Sequence, residues 1–308
     1  MRRVVISGVG LVTPVGTGIN EPWAALLAGT SGIAAITHFD TTDFVTKFGG
    51  EVKGFRAEDY LDVKEARRMD LFCQYALAAA QLAMADSGLK IDESNAEQVG
   101  VYVGSGVGGL QTMEDTHETL RTRGPRRISP FFIPGMIVNL SAGHISIKYG
   151  AKGPSMSHVS ACSTGAHAIG EAYEAIRRGI ADAMICGAGE ATVSPLGVGG
   201  FNAMKALSTR NEEPARASRP FDKERDGFVI AEGAGVMVIE ELESAKKRGA
   251  SISAEIVGYG LSSDAHHMTA PSPGGEGAAR CMKMALRAAG IDASAVGYIN
   301  AHGTSTPL

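Results

Sequence analysis

The chain has 308 residues, 44% of them hydrophobic, and its 29 Lys and Arg stand against 33 Asp and Glu for a net charge of −4. That length can bury a large core, over about two domain-sized units, and the charge balance leaves no overall basic field to hold nucleic acid or an anionic membrane. Forty glycines and only 6% aromatic residues point to tight turns and close helix–sheet packing.

Apolar strand-like runs with Gly ends alternate with helical patterns along the whole length, which predicts an α/β layered fold. Met1-Arg2-Arg3-Val4-Val5-Ile6-Ser7-Gly8 passes from charge straight into a short strand. Its apolar run is too short for a signal or membrane-spanning segment. A helix is predicted over Ala66 to Met84, and Lys64, Arg67 and Arg68 at its start share one face by their i, i+3, i+4 spacing. A solvated face explains them; with Arg126, Arg127 and Lys205 they could instead rim a cleft that receives an acidic protein.

Gly104-Ser105-Gly106-Val107-Gly108-Gly109 follows the strand-like Val101-Tyr102-Val103 and matches the spacing of a dinucleotide-binding loop. The ribose-binding acidic residue about 20 positions on is missing, so a tight strand–helix turn beside a cleft is the better reading. Residues 111 to 140 carry a Pro-rich loop and then the helix-like Met136-Ile137-Val138-Asn139-Leu140, a candidate dimer surface or pocket wall.

Cys162 stands where the strand-like Val159-Ser160-Ala161-Cys162 gives way to the helical run Ala166 to Ala172. Ser163 and Thr164 are candidate helix caps, and a helix N-terminus offers unpaired N–H groups and partial positive charge that favour a thiolate. A nucleophile is therefore plausible against the default of a small buried thiol, which is the reading given to Cys73, Cys186 and Cys281. The four cysteines show no paired spacing, which fits a reducing, cytoplasmic setting. No Cys-x-x-Cys or His-Glu-x-x-His occurs, so no metal site is expected. His266 and His267, read as strand neighbours, would point to opposite faces. His38, His117, His144, His158 and His167 are assigned no chemistry. Residues 205 to 228 are polar and turn-rich and are predicted to form a long ordered loop.

An internal echo divides the chain. Ile6-Ser7-Gly8-Val9-Gly10-Leu11 resembles Ile256-Val257-Gly258-Tyr259-Gly260-Leu261, and Val99 to Val103 resembles Val296 to Asn300. Two related halves follow, residues 1–250 carrying the nucleophile and 251–308 beginning the second. The second half stops after one repeat of the pattern, so the sequence is expected to be a fragment of a longer protein. Asn300-Ala301-His302-Gly303-Thr304-Ser305-Thr306-Pro307 closes it, with His302 at the carboxyl end of a predicted strand, where ligands of α/β folds gather. Repeat symmetry can turn Cys162 and His302 into one cleft, with the hydroxyls of Thr304 and Thr306 on one side of an extended stretch.

Ser160 to Gly165, Pro195 to Phe201, Ala206 to Asn211, Arg219 to Phe228 and Asn300 to Thr306 together resemble the β-ketoacyl-[acyl carrier protein] synthases, most closely the synthase II type of bacterial fatty acid synthesis. The resemblance implies a thiolase-like duplicated αβαβα fold and a homodimer. It implies no cofactor beyond the phosphopantetheine that substrates carry on acyl carrier protein, the expected partner. By the same resemblance Cys162 accepts the acyl chain and His302 hydrogen-bonds the malonyl carbonyl. Thr304 and Thr306 hold the phosphopantetheine arm, Val107 lines the acyl tunnel and Phe132 reaches into the partner's tunnel. Lys64, Arg67, Arg68, Arg126, Arg127 and Lys205 dock the carrier. A second His, a Lys and a Phe gate would fall after Leu308, so a chain ending there is expected to condense slowly or not at all. A polyketide chain-elongating ketosynthase, a non-catalytic scaffold and a Cys–His hydrolase are the alternatives.

Overall fold

Strand β1 (Val4–Thr13) runs into a two-residue return, β2 (Gly16–Thr17), and is the organising strand of a seven-stranded sheet in the computed structural model, which describes residues 1–307. A short hairpin, β3 (Ala34–Ala35) with β4 (Phe48–Gly49), stands apart. The main sheet is completed by β5 (Val99–Gly104), β6 (Ser155–Met156), β7 (Ala183–Glu190), β8 (Gly233–Glu241) and β9 (Ala254–Ile256), in the order β2-β1-β8-β7-β5-β6 with β9 also on β1. β5 is parallel to β6 and β7, whereas β8 runs antiparallel to β7 and β1. All six residues of β5 are buried, as expected of a strand covered on both faces.

The helices are α1 (Asn20–Leu27), α2 (Val63–Ala66), α3 (Leu71–Ser87), α4 (Leu110–Arg123), α5 (Phe132–Met136), α6 (Leu140–Tyr149), α7 (Thr164–Arg177), α8 (Pro195–Ala203), α9 (Leu242–Lys247) and α10 (Glu276–Ala289). α3 packs on β1, β7 and β8 through Phe72, Cys73, Ala76, Ala79, Ala80 and Ala83, all fully buried. A separate cluster seats Ala168, Ala172, Tyr173 and Ile176 of α7 with Met184, Cys186 and Ile239 of the strands. Two helical layers thus sandwich one sheet. Among the described residues no helix is long and apolar enough to cross a membrane.

The internal echo has a physical cause. A Cβ on Gly10 would overlap the carbonyl of Ala79, and one on Gly8 that of Ala83, so the paired glycines let α3 lie directly on the strand backbone. Gly260 and Gly258 stand in the same relation to the carbonyls of Cys281 and Ala285 in α10. Both helices close on a left-handed glycine, Gly88 and Gly290. One joint is built twice.

Several predicted elements are corrected. The helix predicted over Ala66 to Met84 is two helices: Asp70 breaks the run and caps α3 by accepting from the Phe72 amide at 3.2 Å. Lys64 therefore lies on α2 with Arg67 and Arg68 in the turn behind it. Met136 to Leu140 is likewise interrupted, since Ile137 is extended between α5 and α6. Val296 to Asn300 forms no strand: Tyr298 is 80% and Ile299 65% exposed, and no described strand lies alongside to supply a ladder. Its counterpart β5 is a strand because β6 and β7 flank it. His266 and His267 lie in a loop, where the His267 ring accepts from the Thr269 and Ala270 amides.

Candidate active site

The strand expected up to Cys162 ends early, at Met156, and Cys162 sits in a single 3-10 turn, Ala161–Ser163, abutting α7. Ser163 makes no side-chain cap; instead Thr164 Oγ1 accepts from the Ser160 amide at 2.9 Å, folding the segment back over the turn. Ala161 has φ +50°, a left-handed conformation that costs a Cβ-bearing residue about 1–2 kcal/mol. The turn leaves Cys162 exposed, in contrast to the buried Cys73 and Cys186.

This turn stands at the carboxyl ends of β5 and β7. A Cβ on Gly104, the last residue of β5, would overlap the His158 carbonyl, and one on Gly165 would lie 3.6 Å from Ala188 of β7. The glycine loop does form a tight strand–helix turn beside it, with Gly106 placed so that a Cβ would lie 3.5 Å from Cα of Ala161. Its amides are already occupied. Glu190, the last residue of β7, accepts from Ser105 Oγ at 2.8 Å and from the amides of Gly106 at 2.8 Å and Val107 at 3.2 Å. A carboxylate therefore fills the position a phosphate would take in a dinucleotide loop. Burial pushes the Glu190 carboxyl up, against those hydrogen bonds, which favour the charged form. Val107 is held by its amide with its side chain largely exposed. Glu190 escaped the sequence reading; an acidic residue ending an otherwise apolar strand was the available signal.

His302 is exposed and is carried by a different support. Ser305 has φ +71°, so the segment is a turn rather than an extended stretch, and that turn brings the Thr304 and Thr306 hydroxyls within 2.8 Å of one another. The loop of residues 205 to 228, ordered as expected, holds it. Ser305 Oγ accepts from the Arg219 amide at 3.1 Å, and its carbonyl accepts from the Gly227 amide at 3.0 Å. Asp226 ties that loop to itself through Ser208 Oγ at 2.6 Å and the Thr209 amide at 3.0 Å. Among the described residues Cys162 and His302 make no hydrogen bond to each other.

All six basic residues are exposed, and among the described residues none forms an ion pair. The Arg68 guanidinium lies 4.4 Å from the centroid of Phe131, next to the half-buried Phe132. Two acids brace this side of the molecule through α4. Asp70 accepts from the Thr112 amide at 2.9 Å, and Glu114 accepts from Ser194 Oγ and the Leu196 amide, both at 2.7 Å. Lys205 follows α8 with φ +55°.

Residues 1–245 match the family described as beta-ketoacyl synthase, N-terminal domain, and residues 253–308 its C-terminal domain. The 3-oxoacyl-[acyl-carrier-protein] synthase 2 of Vibrio cholerae is 55% identical over 306 residues, which are 99% of this chain and 74% of that protein. The protein of the same name from Staphylococcus aureus is 51% identical over 307 residues, covering 100% of this chain and 74% of the relative. Among solved structures, a beta-ketoacyl synthase from Burkholderia phymatum superposes with a TM-score of 0.91 at 39% identity, covering 99% of this chain and 75% of that one. A type II polyketide ketosynthase, AntDE, in complex with its acyl-carrier protein gives 0.88 at 38% identity, covering 99% and 74%.

Proposed function

Because the chain belongs to the β-ketoacyl synthase family, with its thiolase-like fold, we propose that it extends acyl chains in fatty acid synthesis by decarboxylative Claisen condensation on acyl carrier protein. The observation that carries this reading is Cys162, an exposed thiol on a left-handed backbone turn at the head of α7. The Cys162 sulfur attacks the carbonyl carbon of an acyl-carrier thioester, and the carrier thiol leaves. Malonyl-carrier then loses carbon dioxide, and the resulting enolate carbon attacks the Cys162 thioester. That step expels the Cys162 sulfur and yields a β-ketoacyl-carrier two carbons longer. Backbone N–H groups at the turn supply charge stabilisation for the tetrahedral oxyanion. His302 donates a hydrogen bond to the malonyl thioester carbonyl as the enolate forms, and the paired Thr304 and Thr306 hydroxyls hold the amide-bearing phosphopantetheine arm.

Val107 lines the space for the acyl chain, held by Glu190, and Phe132 reaches into the partner subunit's tunnel. Lys64, Arg67, Arg68, Arg126, Arg127 and Lys205 receive the acidic carrier; their exposure without ion pairing supports that role. The chemistry calls for no cofactor other than the arm borne by the substrates. The exposed apolar residues Phe131, Ile133, Ile147 and Met156 support a homodimer built along α5, α6 and β6, and four free cysteines support a cytoplasmic setting. Higher identity to the fatty-acid synthases than to the polyketide neighbour favours the former.

The test is intact-mass spectrometry after incubation with an acyl-carrier thioester, followed by malonyl-carrier. A stable acyl adduct on Cys162 that is discharged as a β-ketoacyl product supports the proposal. Rapid release of free acid would replace it with hydrolysis, and an adduct that malonyl-carrier cannot discharge would confine this chain to acyl binding.

A further inference from the structure

We infer that His167 is a positioning residue for Cys162, acting through the hydroxyl of Ser160; the inference rests on Cys162 being the acyl-accepting nucleophile. Ser160 Oγ lies 2.6 Å from Nδ1 of His167, which is half-buried on the first turn of α7. Ser160 is held at two further points, its amide by Thr164 Oγ1 at 2.9 Å and its carbonyl by the Ser163 amide at 3.0 Å. All three partners follow Cys162 in sequence, so the thiol is carried on a small loop tied across its base.

The tie matters because of what it encloses. Ala161 is held at φ +50°, and a Cβ-bearing residue left to itself would relax to negative φ and rotate the following residue. The Thr164 and Ser163 contacts fix the backbone of Ser160 but leave its side chain free to turn. The imidazole removes that freedom, and it is itself carried on a helix whose next residue, Ala168, is fully buried against the sheet. A rigid element therefore braces the base of the turn that carries the sulfur. With Nδ1 unprotonated, the ring accepts from the Ser160 hydroxyl. His167 makes no hydrogen bond to the sulfur, so its effect is on geometry.

Asparagine can place Oδ1 near the position of Nδ1, whereas leucine fills the space without an acceptor and glutamine reaches further. Single-turnover acylation of Cys162 by an acyl-carrier thioester, followed by intact mass, is measured for wild type, His167→Leu, His167→Gln, His167→Asn and Ser160→Ala. Labelling by iodoacetamide counts the accessible thiol in each. His167→Leu, His167→Gln and Ser160→Ala are expected to acylate on the order of ten- to a hundredfold more slowly, the scale set by small misplacements of a reacting atom. His167→Asn is expected to recover most of the rate, with Cys162 open to iodoacetamide in all five proteins. Wild-type acylation by His167→Leu, or an Asn variant as slow as the Leu variant, overturns the inference alone. Where His167→Leu does not fold, Ser160→Ala, which loses only a hydroxyl, decides on the same criterion. A wild type that iodoacetamide labels but no acyl-carrier acylates overturns the functional reading and the inference with it.

Discussion

Arg225 holds Thr306 by its backbone: the guanidinium Nε–H donates to the Thr306 carbonyl at 2.8 Å, and Nη2 donates to that of Pro307 at 2.9 Å. The side chain that grips this turn comes from a residue 81 positions earlier. The His302 turn thus takes its shape from the first half of the chain. Arg225→Met keeps the stem and removes both donors. Malonyl-carrier decarboxylation, followed as carbon dioxide release, should fall about tenfold or more from loss of placement, while acyl transfer to Cys162 stays near wild type. Equal loss in both steps would show that Arg225 supports the fold at large rather than this turn.

The cysteines should react in a fixed order. Cys162 is exposed, Cys281 is half-buried with its S–H donating to the Gly260 carbonyl at 3.0 Å, and Cys73 and Cys186 are buried, where desolvation pushes both thiols far up. Timed alkylation with peptide mapping should label Cys162 first and Cys281 later. Cys73 and Cys186 should label only on unfolding, and Cys162→Ala should remove the fast phase. A fast phase surviving in that variant would contradict the order.

The duplicated joint makes a paired prediction. Gly10→Ala and Gly260→Ala each drive a methyl into a helix carbonyl, so each should destabilise by about 1–3 kcal/mol or more in chemical denaturation. Gly200→Ala, in α8 with open space around it, should instead be neutral or gain up to about 1 kcal/mol. If Gly260→Ala is as silent as Gly200→Ala, the second joint is not packed as described.

Those glycines also mark what was legible in the sequence. The Gly-x-Gly echo, the ordered loop of residues 205 to 228 and the exposed Cys162 at a helix start are local patterns, and local patterns survive in one chain of letters. Val159–Cys162 and Val296–Asn300 carry residues that suit a pleated surface, yet a strand exists only where a neighbour completes its ladder. The break at Asp70 was hidden because a capping carboxylate looks like any polar residue on a helix face. His167 showed nothing in sequence, since its partner, seven residues earlier, is brought to it only by the strained turn between them.

A buried acid pair should give a measurable pH dependence. Glu232 Oε1 faces His38 Nδ1 at 3.5 Å, while its Oε2 accepts from the Tyr75 hydroxyl at 3.3 Å and the Val52 amide at 3.4 Å; Glu51 Oε1 approaches the same Nδ1 at 3.7 Å. Burial pushes the Glu232 carboxyl up, against the His38 charge and its hydrogen bonds. Burial also acts to raise Glu51, but the Thr37 hydroxyl and the amides of Thr37 and His38 hold it below the usual range. A raised acid gives stability that is complete below its unfolded pKa and is lost as pH rises through the folded value; a lowered acid does the reverse. Glu232→Gln should therefore lose less stability than wild type as pH rises above the ordinary carboxylate range in denaturant titrations. A slope equal to or steeper than wild type would mean that Glu232 is not the group that binds its proton more tightly in the fold.

Val4, at the start of the chain, is paired on one side with Glu241 and on the other with Ile256. A ribosome thus delivers β1 well before β8 and β9, and apart from its two-residue return against β2 the strand waits with its backbone unpaired while more than two hundred further residues are made. Pairings this distant in sequence close slowly, and an apolar strand left open is prone to find the wrong neighbour. The yield of native protein should accordingly depend on how well the emerging N-terminus is shielded, and on temperature during synthesis, more than on the stability of the finished fold.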